Sequence, residues 1–243
     1  MYGGTSGSQS LLVYNTKIEG DNAVLGCYKG DEIQLLEGSL EKLKIIKDQM
    51  EEPFKNEKTF LYKAMLYLLL IDLVAVIGAF VWGGFRIGLA MLIFGVGSYM
   101  PMLVIIYARQ NRHQSEELHR QFAMHHGCEH AAIQMLTNHK GKEISMEKLK
   151  KESIYDSECG TAYSGYAVTV FLVLGLLIAF GGGLGLLKSM GILLGTIVLL
   201  LINIFNPYNP YLLLQKPVVS KPDERTYELG LAICERLREM ETN

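Results

Sequence analysis

The chain has 243 residues, a formal net charge of −2 and a mean hydropathy of +0.19. No basic excess points to a nucleic-acid partner, and none is expected. The apolar residues gather into long runs instead of recurring at core periodicity, a distribution expected of a membrane protein.

Residues 1–58 are predicted to form a β-rich segment followed by an amphipathic helix. Ser10–Ile18 and Asn22–Tyr28 are rich in β-branched and aromatic residues, and Glu19-Gly-Asp21 between them is a turn signal, so a small antiparallel sheet is expected. Ser39 stands where a helix N-cap belongs. Leu40, Leu43, Ile46 and Met50 then share one stripe of a helix that Pro53 ends. Met1–Ser10 lacks the apolar core of a cleavable signal peptide, and none is expected.

Four hydrophobic runs follow as two hairpins. Residues 59–107 hold Ala64–Trp82 and Ile87–Tyr107, and residues 164–206 hold Gly165–Leu187 and Ser189–Asn206; the runs have 19, 21, 23 and 18 residues. About 20 helical residues cross a hydrocarbon layer of roughly 30 Å, so each run predicts a transmembrane helix. Asp72 is the one charge inside a run. It is either functional or a carboxyl bonded to a neighbouring helix. Gly181-x-x-x-Gly185 and Gly191-x-x-x-Gly195 predict close helix packing, within one chain or in a homo-oligomer.

Of the 23 Lys and Arg, only Arg86 and Lys188 lie in the tight turns of the hairpins. The positive-inside bias therefore places the N-terminus, the central segment 108–163 and the C-terminal segment 207–243 in the cytoplasm. The predicted fold class is an α-helical integral membrane protein: two transmembrane hairpins (four helices) with a small mixed α+β cytoplasmic domain, in the cell (inner, cytoplasmic) membrane with lipid as a partner. All four cysteines fall in the polar segments, where thiols stay reduced, and no disulfide framework is expected. In 207–243 a Pro-rich link leads to a final helix whose apolar face is Tyr227, Leu231, Cys234 and Leu237.

The chemistry gathers in 108–163. His126, Glu129 and His130 form a His-x-x-Glu-His array, the inverted order of the zinc-protease signature. On a helix the three positions share one side, so two imidazoles can bind a metal while Glu129 serves as the catalytic base. Two His leave a metal undercoordinated. Cys159, in a turn some thirty residues later, completes the set, with Asp156 as the other candidate ligand. A divalent metal is expected, and a cysteine ligand favours zinc. His125 points about 100° away from His126, and His113, His119 and His139 are weaker candidates.

His126-Gly-Cys-Glu-His130 followed by Cys159-Gly-Thr161 resembles the bacterial membrane-protein family typified by YqhQ, of unknown function and described as predicted metal-dependent enzymes. Asn206-Pro-Tyr-Asn-Pro-Tyr and Lys221-Pro-Asp-Glu-Arg225 are similar to the family's Pro-rich exit and the start of its last helix. The resemblance implies a metal-dependent membrane enzyme. Departures are Ala131, where the family has Lys, and Asp156, where it has His. Two functions are expected on this basis: a zinc-type membrane hydrolase, or a non-enzymatic scaffold or transporter in which the His/Glu/Cys cluster is a structural metal clip. The substrate is not legible.

Overall fold

Apolar alternation in the first forty residues builds a sheet covered on both faces. The computed structural model describes residues 2–7, 9–15, 22–52, 67, 70–71, 73–79, 81–82, 84–93, 95, 116–140, 143–156, 159–180, 186–204, 209–216 and 218–242. They belong to two compact units, one of 1–56, 111–156 and 216–243, the other of 57–110 and 157–215.

In the first unit, β1 (Tyr2–Ser6), β2 (Ser10–Asn15), β3 (Asn22–Lys29) and β4 (Glu32–Ser39) pair antiparallel in sequence order. The sheet thus has two strands more than the sequence predicted. Tyr2-Gly-Gly-Thr-Ser has little intrinsic strand preference, and its pairing with β2 rests on tertiary contacts. Period-two alternation sends Leu11, Val13 and Val24 to one face and Leu12, Ala23 and Leu25 to the other.

Helix α1 (Leu40–Glu51) covers the second face with Leu40, Leu43, Ile46 and Met50. Ser39 occupies the N-cap in extended geometry, but its hydroxyl makes no capping bond. The first face carries α2 (Glu116–Asn138), the single turn α3 (Met146–Leu149) and the C-terminal helix, packed through Cys128, Met135, Leu136, Leu149, Leu229 and Ile233. That last helix, α6 (Glu224–Thr242), is N-capped by Asp223, whose Oδ1 accepts from Thr226 N–H (2.8 Å) and from its hydroxyl (2.7 Å). Gly26 lies opposite Leu11 beneath α6. A Cβ there would meet the Ile233 and Leu229 methyls at 2.7 Å, so glycine sets the helix-to-sheet spacing.

In the second unit, α4 (Gly160–Phe180) and α5 (Leu186–Ile204) pack through Ala162, Tyr166 and Leu200, and a 3-10 turn (Pro210–Gln215) lays Tyr211 against Gly165. The Asn209 amide donates to the Tyr166 hydroxyl. Helix α5 leaves Ile192, Leu194, Leu199 and Ile202 exposed.

The membrane fold expected from the sequence is corrected. Among the described residues no helix is long and apolar enough to cross a membrane. The described part of α4 opens on Gly-Thr-Ala-Tyr-Ser-Gly-Tyr, and Lys188 stands in the described part of α5, so neither holds an unbroken apolar stretch of about 20 described residues. The multi-pass location, with cytoplasmic termini and central segment, falls with that correction. Much of Ala64–Trp82, Asp72 included, and the second half of Ile87–Tyr107 lie outside the described residues, as does Gly181-x-x-x-Gly185. Gly191 and Gly195 face open space, so they form no close helix contact among the described residues.

Candidate functional site

Helix α2 carries the array that the sequence singled out. Its interior is rich in Ala, Met, Leu and Gln, good helix formers. One turn apart on that helix, the His126 and His130 rings meet edge to face with centroids 4.6 Å apart, and Phe122 lies 5.8 Å beyond His126.

Each ring is oriented by a backbone carbonyl from elsewhere in the unit. His126 Nδ1–H donates to Val218 O (3.1 Å), and His130 Nδ1–H donates to Ile154 O (2.8 Å). A carbonyl can only accept, so these bonds fix the proton on Nδ1 and leave Nε2 as the lone-pair donor of each neutral ring. Burial keeps both rings neutral. It lowers the pKa of His126 to about 3, helped by its neighbour His130 and opposed by Val218 O and Asp156, and that of His130 to about 4, opposed by Ile154 O. Neutral, carbonyl-anchored imidazoles are what metal-binding histidines require.

Cys159, the thiol that the sequence offers as a further ligand, belongs to the second unit, five residues after Ile154 in the chain. The charge of Asp156 acts on His126 and on Glu129.

Glu129 turns toward β1. Its carboxylate accepts from the Ser6 backbone N–H and hydroxyl and feels the charge of Lys47 from α1, whereas burial is the larger effect and raises its pKa to about 7. The carboxylate side chain lies across Gly4, where a Cβ would come within 2.6 Å of Glu129 Cγ. A strand glycine at this point lets a helix side chain reach the sheet.

Two further close approaches shape the site. Gly127, in the middle of α2, faces the crossing segment 218–222: a Cβ there would sit 2.3 Å from Ser220 O, and Ser220 N–H donates to Ala123 O at 2.9 Å. Gly230 of α6 faces Cys128, 2.4 Å from Sγ to a Cβ built there. His125, 4% exposed, is used differently: its Nδ1–H donates to Gly7 O (2.9 Å) and pins the β1–β2 turn from the α2 side. Glu51 holds the same turn from α1, accepting from Gln9 N–H (3.0 Å) and the Ser10 hydroxyl (2.9 Å). His139 Nε2 pairs with Glu152 Oε1 (2.8 Å), away from the array, and His113 lies outside the described residues.

Sequence reasoning missed Ser6, Lys47 and the carbonyls of Ile154 and Val218. Backbone carbonyls leave no residue-type signal, but Gly4 and Gly127 did. An isolated glycine in a strand or helix pattern marks a close approach of another group.

The fold and site define an α+β unit with a candidate metal-ligating histidine pair on its longest helix. Residues 35–204 match the model of a family described as a protein of unknown function (DUF1385), and the chain belongs to that family. No curated protein and no solved structure matches it.

Proposed function

We propose that this chain is a divalent-metal-binding protein, with zinc as its metal, acting as a hydrolase. His126 and His130 bind through Nε2, the thiol of the Cys159-Gly-Thr161 motif is the third ligand that the sequence offers, and the charge of Asp156 acts on His126. One observation carries the reading: the two rings meet edge to face, and both Nδ1–H groups are committed to carbonyls, Val218 O at 3.1 Å and Ile154 O at 2.8 Å, so each neutral ring carries its lone pair on Nε2. Two nitrogens and a thiolate suit zinc, and three protein ligands leave a position open. Zinc held there supplies Lewis acidity and makes water acidic at neutral pH. Glu129, with a pKa of about 7, takes up a proton at its carboxylate at that pH, and Ser6 holds the acceptor oxygens in place. The family match is to proteins of unknown function and brings no activity with it. The His126–His130 and Cys159-Gly-Thr161 motifs support a closer kinship with the YqhQ-like bacterial proteins.

A second reading has an observation of its own. Glu129 is bonded to Ser6 over β1, which fits a structural metal clip without catalysis. The test is metal content by mass spectrometry on the full chain, purified without chelator, beside His126→Ala, His130→Ala and Cys159→Ala. Near-stoichiometric zinc, reduced in all three variants, is the expected result; a metal-free wild type sinks the proposal. Glu129→Gln then separates the two readings. A hydrolase keeps its metal and loses turnover of activated esters and phosphoesters, whereas a clip shows no turnover in either form.

A further inference from the structure

The crossing segment 218–222 does more than connect the Pro-rich link to α6. It touches α2 at three successive places beside the ligand pair. Val218 O accepts the Nδ1–H of His126, Ser220 N–H donates to Ala123 O at 2.9 Å, and the Ser220 carbonyl rests on Gly127 at a distance no side chain would allow. Its ends are fixed: Val218 and Val219 are 1% and 3% exposed, and Asp223 caps α6 immediately after it. The strap is thus a backbone element with its own anchors, and its seat is a glycine in the middle of a helix.

We infer that docking of the 218–222 strap and metal binding at the His126/His130 pair are one linked equilibrium, with Gly127 and Val218 as positioning residues that never touch the metal. The inference rests on the metal-site reading above. The undocked strap takes from His126 the carbonyl that fixes its Nδ1–H tautomer. Loss of such an outer partner lowers metal affinity by about 10–100-fold. Linkage is reciprocal, so bound metal favours the docked strap by the same factor. Ser220 N–H reports that docking directly, because its acceptor is on α2.

The experiment uses the full chain stripped with chelator and then titrated with Zn²⁺, read by competition with a chromophoric chelator and by amide hydrogen exchange. Zinc is expected to slow exchange in 218–222 by tenfold or more. Gly127→Ala, which must push Ser220 O outward, and Val218→Ala, which removes the strap's buried anchor, are each expected to weaken zinc by about 10–100-fold. Leu43→Ala, a core truncation on the α1 face of the sheet, controls for general destabilisation and is expected to leave zinc affinity unchanged. Val218→Ala decides the matter where Gly127→Ala does not fold. Wild-type zinc affinity in a folded strap variant, or strap exchange indifferent to zinc, overturns the inference while leaving the metal site standing. Absence of zinc binding in the wild type overturns both.

Discussion

Acid lability of the metal-free protein offers the sharpest check on the buried histidines. In the folded chain His126 and His130 titrate at about 3 and about 4, against 6.5 for an exposed histidine, because burial disfavours the imidazolium. The unfolded chain therefore takes up protons below pH 6.5 that the folded chain refuses. Stability is fully present above that pH and is lost as pH falls toward the folded values. Between pH 7 and pH 5 each ring costs about 2 kcal/mol, and the pair about 4 kcal/mol. His125, also lowered by burial, adds in the same direction. Glu129 opposes them. Its folded pKa of about 7 lies above the usual 4.5, so its unfavourable share shrinks by about 2 kcal/mol over the same interval. Wild type should thus lose roughly 2 kcal/mol, and Glu129→Gln, freed of the opposing carboxylate, roughly 4, a large part of an ordinary domain's 5–15 kcal/mol. The assay is native-state hydrogen exchange of the β2 and β3 amides in the presence of chelator, corrected for intrinsic rates. A Glu129→Gln protein whose opening free energies are the same at pH 5 and pH 7 would refute the assignment of these rings as buried and neutral.

Other perturbations test the packing around the site. Gly230→Ala places a methyl 2.4 Å from Cys128 Sγ and should cost about 1–3 kcal/mol by overpacking; adding Cys128→Ala should restore part of it, which a double-mutant cycle on unfolding free energies will show as non-additivity. Asp223→Ala removes the two bonds that cap α6 and should cost about 0.5–2 kcal/mol, measured by the same unfolding curves, whereas Asp223→Asn should retain most of the cap. Arg236→Ala breaks a partly exposed pair with Glu37 and should leave the unfolding midpoint nearly unchanged, the more so at high salt; a clear loss that salt does not diminish would mean the pair is not solvent-screened.

What the sequence disclosed depends on the kind of force involved. The α1 stripe and the His126/His130 spacing were legible because they are periodic, and helical period alone places such residues on one face. Strands β1 and β4 were not. Tyr2-Gly-Gly-Thr-Ser and Glu32–Ser39 owe their strand state to neighbours far along the chain: β1 exists because β2 pairs with it and because its glycines admit Tyr14 and Glu129. Hydrophobic runs misled for a related reason. A run counts apolar residues, whereas a span needs an unbroken apolar helix, and among the described residues α4 begins with two polar turns and α5 carries Lys188.

The same distinction explains the site. His126, Glu129 and His130 are three side chains on one helical sector, and the sequence assigned them one shared task. The structure divides them. The imidazoles are held by carbonyls from 154 and 218, and the carboxylate is held by Ser6 on the sheet, so ligand and acid-base candidates are oriented by different segments. Those segments come from the N-terminus, the middle and the C-terminal part of the chain. Orientation of an imidazole is set by whatever its second nitrogen meets, and what it meets here is backbone, which carries no residue code. The one trace that backbone leaves in a sequence is the glycine that lets it approach. Gly127, between His126 and Glu129, therefore carries as much information about the site as the ligands beside it, and the loss of zinc affinity expected of Gly127→Ala is a direct measure of it.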